Sequence, residues 1–305
     1  MSMVEVNRLS YAYGRVQALR LLDLTVPTGA LYALVGPNGS GKTTLMQVLL
    51  GLRRAQSGHA SVMGRDCATL TAADKTSIGY IAEGQALPGS MCLREAEAFL
   101  APLYPTWDAA LARNLRERFS LDPDRRFKTF SRGEQMKAAL LCALAPRPTL
   151  LVMDEPFTGM DALVRDDLVR GLLQSAGAEG WTVLVCSHDI AEVEMLADWV
   201  GFLQKGRMRL SEPMDQLHQR FKHVEVQLAD GAGIGRPHPA RWFSVEQNGR
   251  MMSFIAETDG SEAATAVLRQ QFSGASRLDI RNATLREVFI ALARGTSASA
   301  RGMSV

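Results

Sequence analysis

LYALVGPNGSGKTTLMQVLL, residues 31–50, is the stretch whose reading decides the fold. LYALV is apolar throughout and runs into glycine, which predicts a central strand covered on both faces. LMQVLLGL reads as a helix. Between them stand Gly36, Pro37, Asn38, Gly39, Ser40, Gly41, Lys42, Thr43 and Thr44, which fit the pattern GxxxxGK[ST]. Glycines in such a turn let backbone N–H groups converge on phosphate oxygens without a Cβ in the way, and the helix N-terminus adds partial positive charge. Lys42 is then placed for the β and γ phosphates, and the Thr43 hydroxyl for Mg²⁺. A glycine-rich turn of no chemical consequence would not need this strand and this helix on its two sides.

Working outward, LLDLTV (21–26) puts Leu22, Leu24 and Val26 on one face and Asp23 and Thr25 on the other, as in a half-buried strand. LLVMD (150–154) and TVLVCS (182–187) read as further buried strands. A helix over about 161–176, with Leu168, Val169, Leu172 and Leu173 at helical spacing, separates them. Such alternation predicts an α/β domain with a largely parallel sheet. Between about 93 and 145 the strands vanish, and helices over about 95–103 and 109–118 indicate an all-helical insertion.

The composition changes after Gly206. Strands FKHVEVQL (221–228), WFSVEQ (242–247), RMMSFIAE (250–257) and RLDIR (277–281), with helices over about 262–272 and 285–293, predict a small α+β appendix spanning 215–294. The first domain is expected over 1–214, its helical subdomain over about 90–147, and a disordered tail over 295–305.

The chain has 305 residues, 47% of them hydrophobic, enough for a packed core. No apolar run reaches the length of a membrane span, and the start MSMVEVNRLS lacks the basic and apolar regions of a secretory signal. The expected location is the cytoplasm, with any membrane role exercised through a partner. Cys67, Cys92, Cys142 and Cys186 have neither CxxC spacing nor a histidine cluster, which argues against zinc and disulfides. A net charge of +2 without a long basic run argues against nucleic acid as a partner.

Nucleotide hydrolysis also requires a carboxylate for the metal and a group that positions water. LLVMDEP offers both at a strand end: Asp154 for Mg²⁺, Glu155 for the water attacking the γ phosphate. Taken alone, two acids there could be solvated charge. His188, in CSHD after the next strand, stands where switch-point crevices collect functional groups, or else caps a turn. Residues 129–135, TFSRGEQ, open a helix with Ser131, Arg132, Gly133 and Glu134, residues that no local apolar pattern explains.

GPNGSGKTT, FSRGEQ, LLVMDEP, TGMD and CSHD, in that order, resemble the ATP-binding subunit of an ATP-binding cassette (ABC) transporter over residues 4 to about 210. The resemblance implies a phosphate-loop NTPase cassette with a mainly parallel core, an N-terminal antiparallel β subdomain and a helical insertion. It implies ATP and Mg²⁺ as cofactors, a membrane permease subunit as partner, and peripheral attachment to the inner face of the membrane. It also implies a head-to-tail dimer in which Ser131 and Gly133 reach the γ phosphate held by the facing subunit, itself either a second copy or a paralogous cassette. Asp161 would lie at the dimer seam. Tyr13 would stack on adenine, with Tyr11 as the fallback.

Two departures matter. SRGE replaces the common Ser-Gly-Gly-Gln, so Arg132 and Glu134 are expected to change the charge facing the second ATP. Glu83 stands where the family usually has the glutamine that contacts Mg²⁺ and water, with Gln85 as the alternative. Similar substitutions, and the stretches YPTWD and LREVFIAL, resemble the bacterial branch that drives exporters with separately encoded permeases. Leu87, Met91 and Leu93 would line a docking groove for the permease, or else belong to the core. The rival reading is a soluble cassette ATPase acting on DNA or the ribosome. Its DNA-repair form requires a long coiled coil between the phosphate loop and FSRGEQ, a span of about ninety residues without heptads here.

Overall fold

A computed structural model of the chain describes residues 1–161, 164–166, 168–172, 180–228 and 241–294. It forms two compact units that divide between Ser211 and Glu212.

The first unit holds two sheets. The outer sheet is antiparallel, in the order β2-β1-β4-β5, with β1 (Ser2–Tyr13), β2 (Val16–Pro27), β4 (Ser57–Val62) and β5 (Arg65–Asp66). Leu22, Leu24 and Val26 alternate inward along β2 with Asp23 and Thr25 outward, the period-2 pattern of a sheet with one wet face. The second sheet runs β10-β9-β3-β8-β7-β6, with β3 (Leu31–Val35), β6 (Ile78–Ile81), β7 (Leu150–Asp154), β8 (Thr182–Ser187), β9 (Trp199–Gln204) and β10 (Arg207–Pro213). The pairings from β9 through β3, β8 and β7 to β6 are all parallel. Residues of β7 and β8 are buried without exception, as a sheet covered on both faces requires. Their carboxyl ends therefore open on one edge, where α1 (Lys42–Leu49) begins after the glycine-rich turn.

Between β6 and β7 lies the helical insertion, with α3 (Leu93–Leu100), α4 (Ala109–Arg118) and α5 (Arg132–Leu144) following the short α2 (Ala72–Lys75). The helix expected over 95–103 starts earlier and tightens into a 3-10 turn at Ala101–Leu103, where Pro102 cannot donate the N–H that an α-helix needs. Leu93, expected as a groove residue, is fully buried at the start of α3 and belongs to the core. Asp108 of YPTWD caps α4, accepting from the N–H groups of Ala110 and Leu111, and pairs with Arg147 at 2.7 Å. Of the helix expected over 161–176, residues 164–166 and 168–172 are helical and the rest, apart from the non-helical Asp161, lie outside the described residues, as do the glycine- and proline-rich connection at 229–240 and the tail 295–305.

The second unit is an antiparallel sheet in the order β12-β13-β11-β14, formed by β11 (Phe221–Gln227), β12 (Arg241–Asn248), β13 (Met251–Glu257) and β14 (Arg277–Asn282). Val224, Val226, Trp242, Phe254, Leu268 and Phe272 form its core, with Trp242 stacked on Phe254. Helix Leu285–Arg294, the LREVFIAL stretch, buries Leu285, Val288, Phe289 and Ala291.

The start of α5 explains one departure in TFSRGEQ. Ser131 is the N-cap: its hydroxyl accepts from the Glu134 N–H at 3.3 Å, and the Glu134 carboxylate accepts from the Ser131 N–H at 2.7 Å. Arg125 holds the same carboxylate with two hydrogen bonds, of 2.7 and 2.8 Å, while its guanidinium lies over the Phe130 ring. The Glu134 charge is thus spent within the helix start rather than left to alter the surface field, as the sequence led us to expect. The Arg125 hydrogen bonds first, then those from Ser131, draw the Glu134 carboxyl down to about 2. A depressed carboxyl stabilises the fold above its free value and loses that contribution as pH falls toward 2. Because both partners are partly exposed, Glu134→Ala should cost only about 0.5–1.5 kcal/mol at pH 7. Urea melts should show the deficit shrinking between pH 5 and pH 3.

Candidate active site

The turn after β3 forms because Gly36 has no side chain. A Cβ there would lie 2.1 Å from the Leu203 carbonyl oxygen on β9, so only glycine lets the chain pass so close to the neighbouring strand. The turn then wraps back over its own lysine. Lys42 is buried, and its ammonium donates to the Gly36 carbonyl at 2.7 Å. Its second partner is Glu155, whose Oε1 lies 3.3 Å away.

Glu155 follows the last residue of β7, and its backbone sits in the left-handed region at φ +49°. A non-glycine residue seldom adopts that conformation, and such strain gathers at functional sites. Its N–H donates to the Cys186 carbonyl on β8 at 2.9 Å, which holds the residue at the sheet edge. His188, just beyond β8, closes the row. Its Nδ1 lies 2.7 Å from Glu155 Oε2, and its backbone N–H donates to the same oxygen at 3.3 Å. The Glu155 carboxylate thus spans from Lys42 to His188, with one oxygen for each.

Asp154 is 1% exposed. Burial, the largest effect, together with the nearby Glu155 and Glu83 charges, holds its carboxyl above the usual carboxylate range, while the Thr43 hydroxyl and Lys42 pull it down. Neither Asp154 oxygen has a partner at full hydrogen-bond geometry, and neither does the buried Ser40 hydroxyl. Orphaned oxygens of this kind beside a threonine hydroxyl suit a hard divalent cation. Among the described residues no cluster of three or more His, Cys, Asp or Glu side chains could hold a metal alone. Asp154 and Thr43 are thus the residues that would hold Mg²⁺ here.

These groups surround an open cleft of about 660 Å³. Residues 38–44, Tyr13, Glu83, Glu155 and His188 line it, so the structure brings together most of the residues that the sequence singled out. Thr158 and the β2 segment Val16, Gln17 and Ala18 complete the wall; nothing in the sequence pattern pointed to them. Glu83 lines this cleft. Gln85 does not; its side-chain oxygen accepts from the Ala82 N–H at 3.0 Å, tied to its own loop. Tyr13 is 43% exposed and its hydroxyl lies 3.3 Å from Thr44 Oγ1, whereas Tyr11 packs against the core.

Ser131, Gly133 and Asp161 line neither this cleft nor a second one beside it, which Glu83, Glu155, Thr158 and Arg132 share. Gly133 has a packing reason to be glycine, since a Cβ would meet Val164 Cγ1 at 2.6 Å. Arg132 lays its guanidinium against Gly159 of the TGMD stretch. Asp161 is exposed, at the edge of the described residues.

Comparison with known proteins agrees with this geometry. The ABC transporter family profile matches residues 19–158. The chain is 31% identical over 214 residues to the lantibiotic transport ATP-binding protein SrtF of Streptococcus pyogenes, covering 70% of this chain and 92% of that one. It is 32% identical over 223 residues to the sulfate/thiosulfate import ATP-binding protein CysA of Salmonella typhi, covering 70% and 61%. Among solved structures, an ATP binding subunit of an ABC transporter matches with a TM-score of 0.65 at 27% identity, over 72% of this chain and 92% of the other. A dimeric cassette in a post-hydrolysis state shares the fold, with a TM-score of 0.62 at 21% identity over 70% and 99%. This chain belongs to the ABC transporter family, as one of its ATP-binding, ATP-hydrolysing subunits.

Proposed function

We propose that this cassette works as a dimer that closes on ATP and Mg²⁺ and drives a separately encoded membrane permease, in the direction of export. The observation that carries the catalytic part is the Lys42–Glu155–His188 row at the mouth of the phosphate loop. A triphosphate lying along residues 38–44 competes with Glu155 for the Lys42 ammonium. Once Lys42 turns to phosphate oxygen, Glu155 Oε1 is free to accept a hydrogen bond from the attacking water. His188 keeps Oε2 in place during that exchange, so the carboxylate points one oxygen at the water and does not rotate. Asp154 and Thr43 would hold Mg²⁺, which supplies charge neutralisation on the phosphates when bound. Glu83, on the cleft wall, offers an oxygen to the same metal or water. Ser131 and Gly133, at the start of α5, would serve the nucleotide of the facing copy, with Asp161 at the seam.

The export direction is our reading from the likeness to a lantibiotic transport subunit, together with the YPTWD and LREVFIAL stretches. No helix among the described residues is long and apolar enough to cross a membrane. The contact surface supported best is an apolar groove of about 270 Å³ beside the Glu83 loop. Leu87, Pro88, Met91, Leu100 and Tyr104 line it together with Phe99, which is 64% exposed. A short amphipathic helix of the permease fits such a groove.

Two measurements test these readings. Glu155→Gln should retain ATP binding and lower hydrolysis by about 10²–10⁴-fold, trapping a dimer visible by size exclusion, whereas Lys42→Ala should lose binding; undiminished turnover in Glu155→Gln would remove the residue from the reaction. Leu87→Glu with Met91→Glu should leave basal hydrolysis intact and abolish its stimulation by the permease; an unfolded product would place both residues in the core.

A further inference from the structure

The nucleotide reading accounts for one face of Tyr13 and leaves the other unexplained. Arg53, in the turn after α1, lies with its guanidinium carbon 4.8 Å from the centroid of the Tyr13 ring, within cation–π range. It is half-buried and does not line the nucleotide cleft, although Tyr13 does. The guanidinium therefore lies against the ring without itself lining the cleft. Its own position is fixed twice, by Nη1 donating to the Tyr11 hydroxyl at 3.1 Å and by Nε donating to the Gln47 side chain on α1. The Tyr13 ring is held from two further directions, by the edge of Tyr11 at 5.0 Å and by its hydroxyl against Thr44 Oγ1.

From this arrangement we propose that Arg53 is a positioning residue for the nucleotide base: set against Tyr13, it fixes the ring and draws electron density from it, so that the face toward the cleft stacks on a purine. The proposal rests on the reading that Tyr13 stacks on the base. Two physical effects act in the same direction. A ring held in place before binding loses little rotamer freedom when the base arrives. A cation on one face also makes the other face less electron-rich, and therefore a better neighbour for the π-cloud of a purine. Because stacking uses the face common to all bases, it does not depend on the exchangeable edge groups that distinguish adenine from guanine. Arg53 should therefore help ATP and GTP alike, and have no effect on a ligand that has phosphates but no base.

The test is calorimetric binding of ATP, GTP and inorganic tripolyphosphate, each with Mg²⁺, to the full chain and to Arg53→Gln, Arg53→Lys, Tyr13→Ala and the Arg53→Gln/Tyr13→Ala pair. Arg53→Gln should weaken ATP and GTP by about threefold and leave tripolyphosphate unchanged, with the loss appearing in KM rather than in kcat. Arg53→Lys, which keeps the cation, should recover most of the affinity. In the Tyr13→Ala background the Arg53→Gln change should have no further effect. Equal weakening of tripolyphosphate, or a full Arg53→Gln loss that persists without Tyr13, would overturn the proposal and make Arg53 a structural support of α1. Unchanged ATP binding in Arg53→Gln beside a weakened Tyr13→Ala would overturn it while sparing the stacking role of Tyr13; unchanged ATP binding in Tyr13→Ala would overturn both. If Arg53→Gln melts well below the parent, Arg53→Met, which keeps the apolar stem, replaces it in the same comparison.

Discussion

The ion pair between Lys42 and Glu155 is the constraint around which the first unit is arranged. Both side chains are about 7% exposed, and taking two charges so far out of water costs several kcal/mol per ion, which their attraction repays only with good geometry and added hydrogen bonds. The remaining hydrogen bonds come from the Gly36 carbonyl on one side and from His188 on the other. Each of those groups arrives on a different parallel strand: Gly36 after β3, Glu155 after β7, His188 after β8. The strand order β3-β8-β7 sets them side by side at one sheet edge. A pair of this kind is weak evidence for stability and better evidence for chemistry, because it is poised to exchange one oxygen partner for another.

What the sequence disclosed follows from how local each cause is. Strand β2 and the helix at Ala109–Arg118 were legible because alternation and capping are written within a few residues. The glycine-rich turn was legible for the same reason, since phosphate recognition by backbone N–H groups needs a contiguous motif. Which of Glu83 and Gln85 lines the cleft was not legible; the Gln85 side chain is tied to its own loop by accepting from the Ala82 N–H, a contact that only the folded loop reveals. Glu134 was misread for a similar reason. Its partner Arg125 stands nine residues upstream, before the helix begins, and no periodic pattern links the two. Arg53 and Tyr13 are farther apart still, brought together by the packing of α1 on the outer sheet.

Glu134 and Arg132, both departures from the common signature, end in different environments. Glu134 is paired by Arg125 and by the N-cap, so its charge has little reach beyond the helix start. Arg132 lies in the cleft that also holds Glu83 and Glu155, with its guanidinium on Gly159. A positive group at 132 and a negative one at 83, where the family has glycine and glutamine, thus line the same wall.

The balance of charge around the phosphate loop has a further consequence. Glu83 and Glu155 line the cleft around a single lysine, and the Asp154 carboxyl beside them, raised first of all by burial, is raised further by their two charges. A polyanion entering such a site meets net repulsion from the carboxylates, which the helix N-terminus and the backbone N–H groups of the turn offset only in part. A divalent cation held by Asp154 and Thr43 would supply positive charge beside these carboxylates and so lessen that repulsion. On the reading proposed above, Glu83 in place of a neutral glutamine would add negative charge to this wall, and nucleotide binding would lean more heavily on a cation placed there.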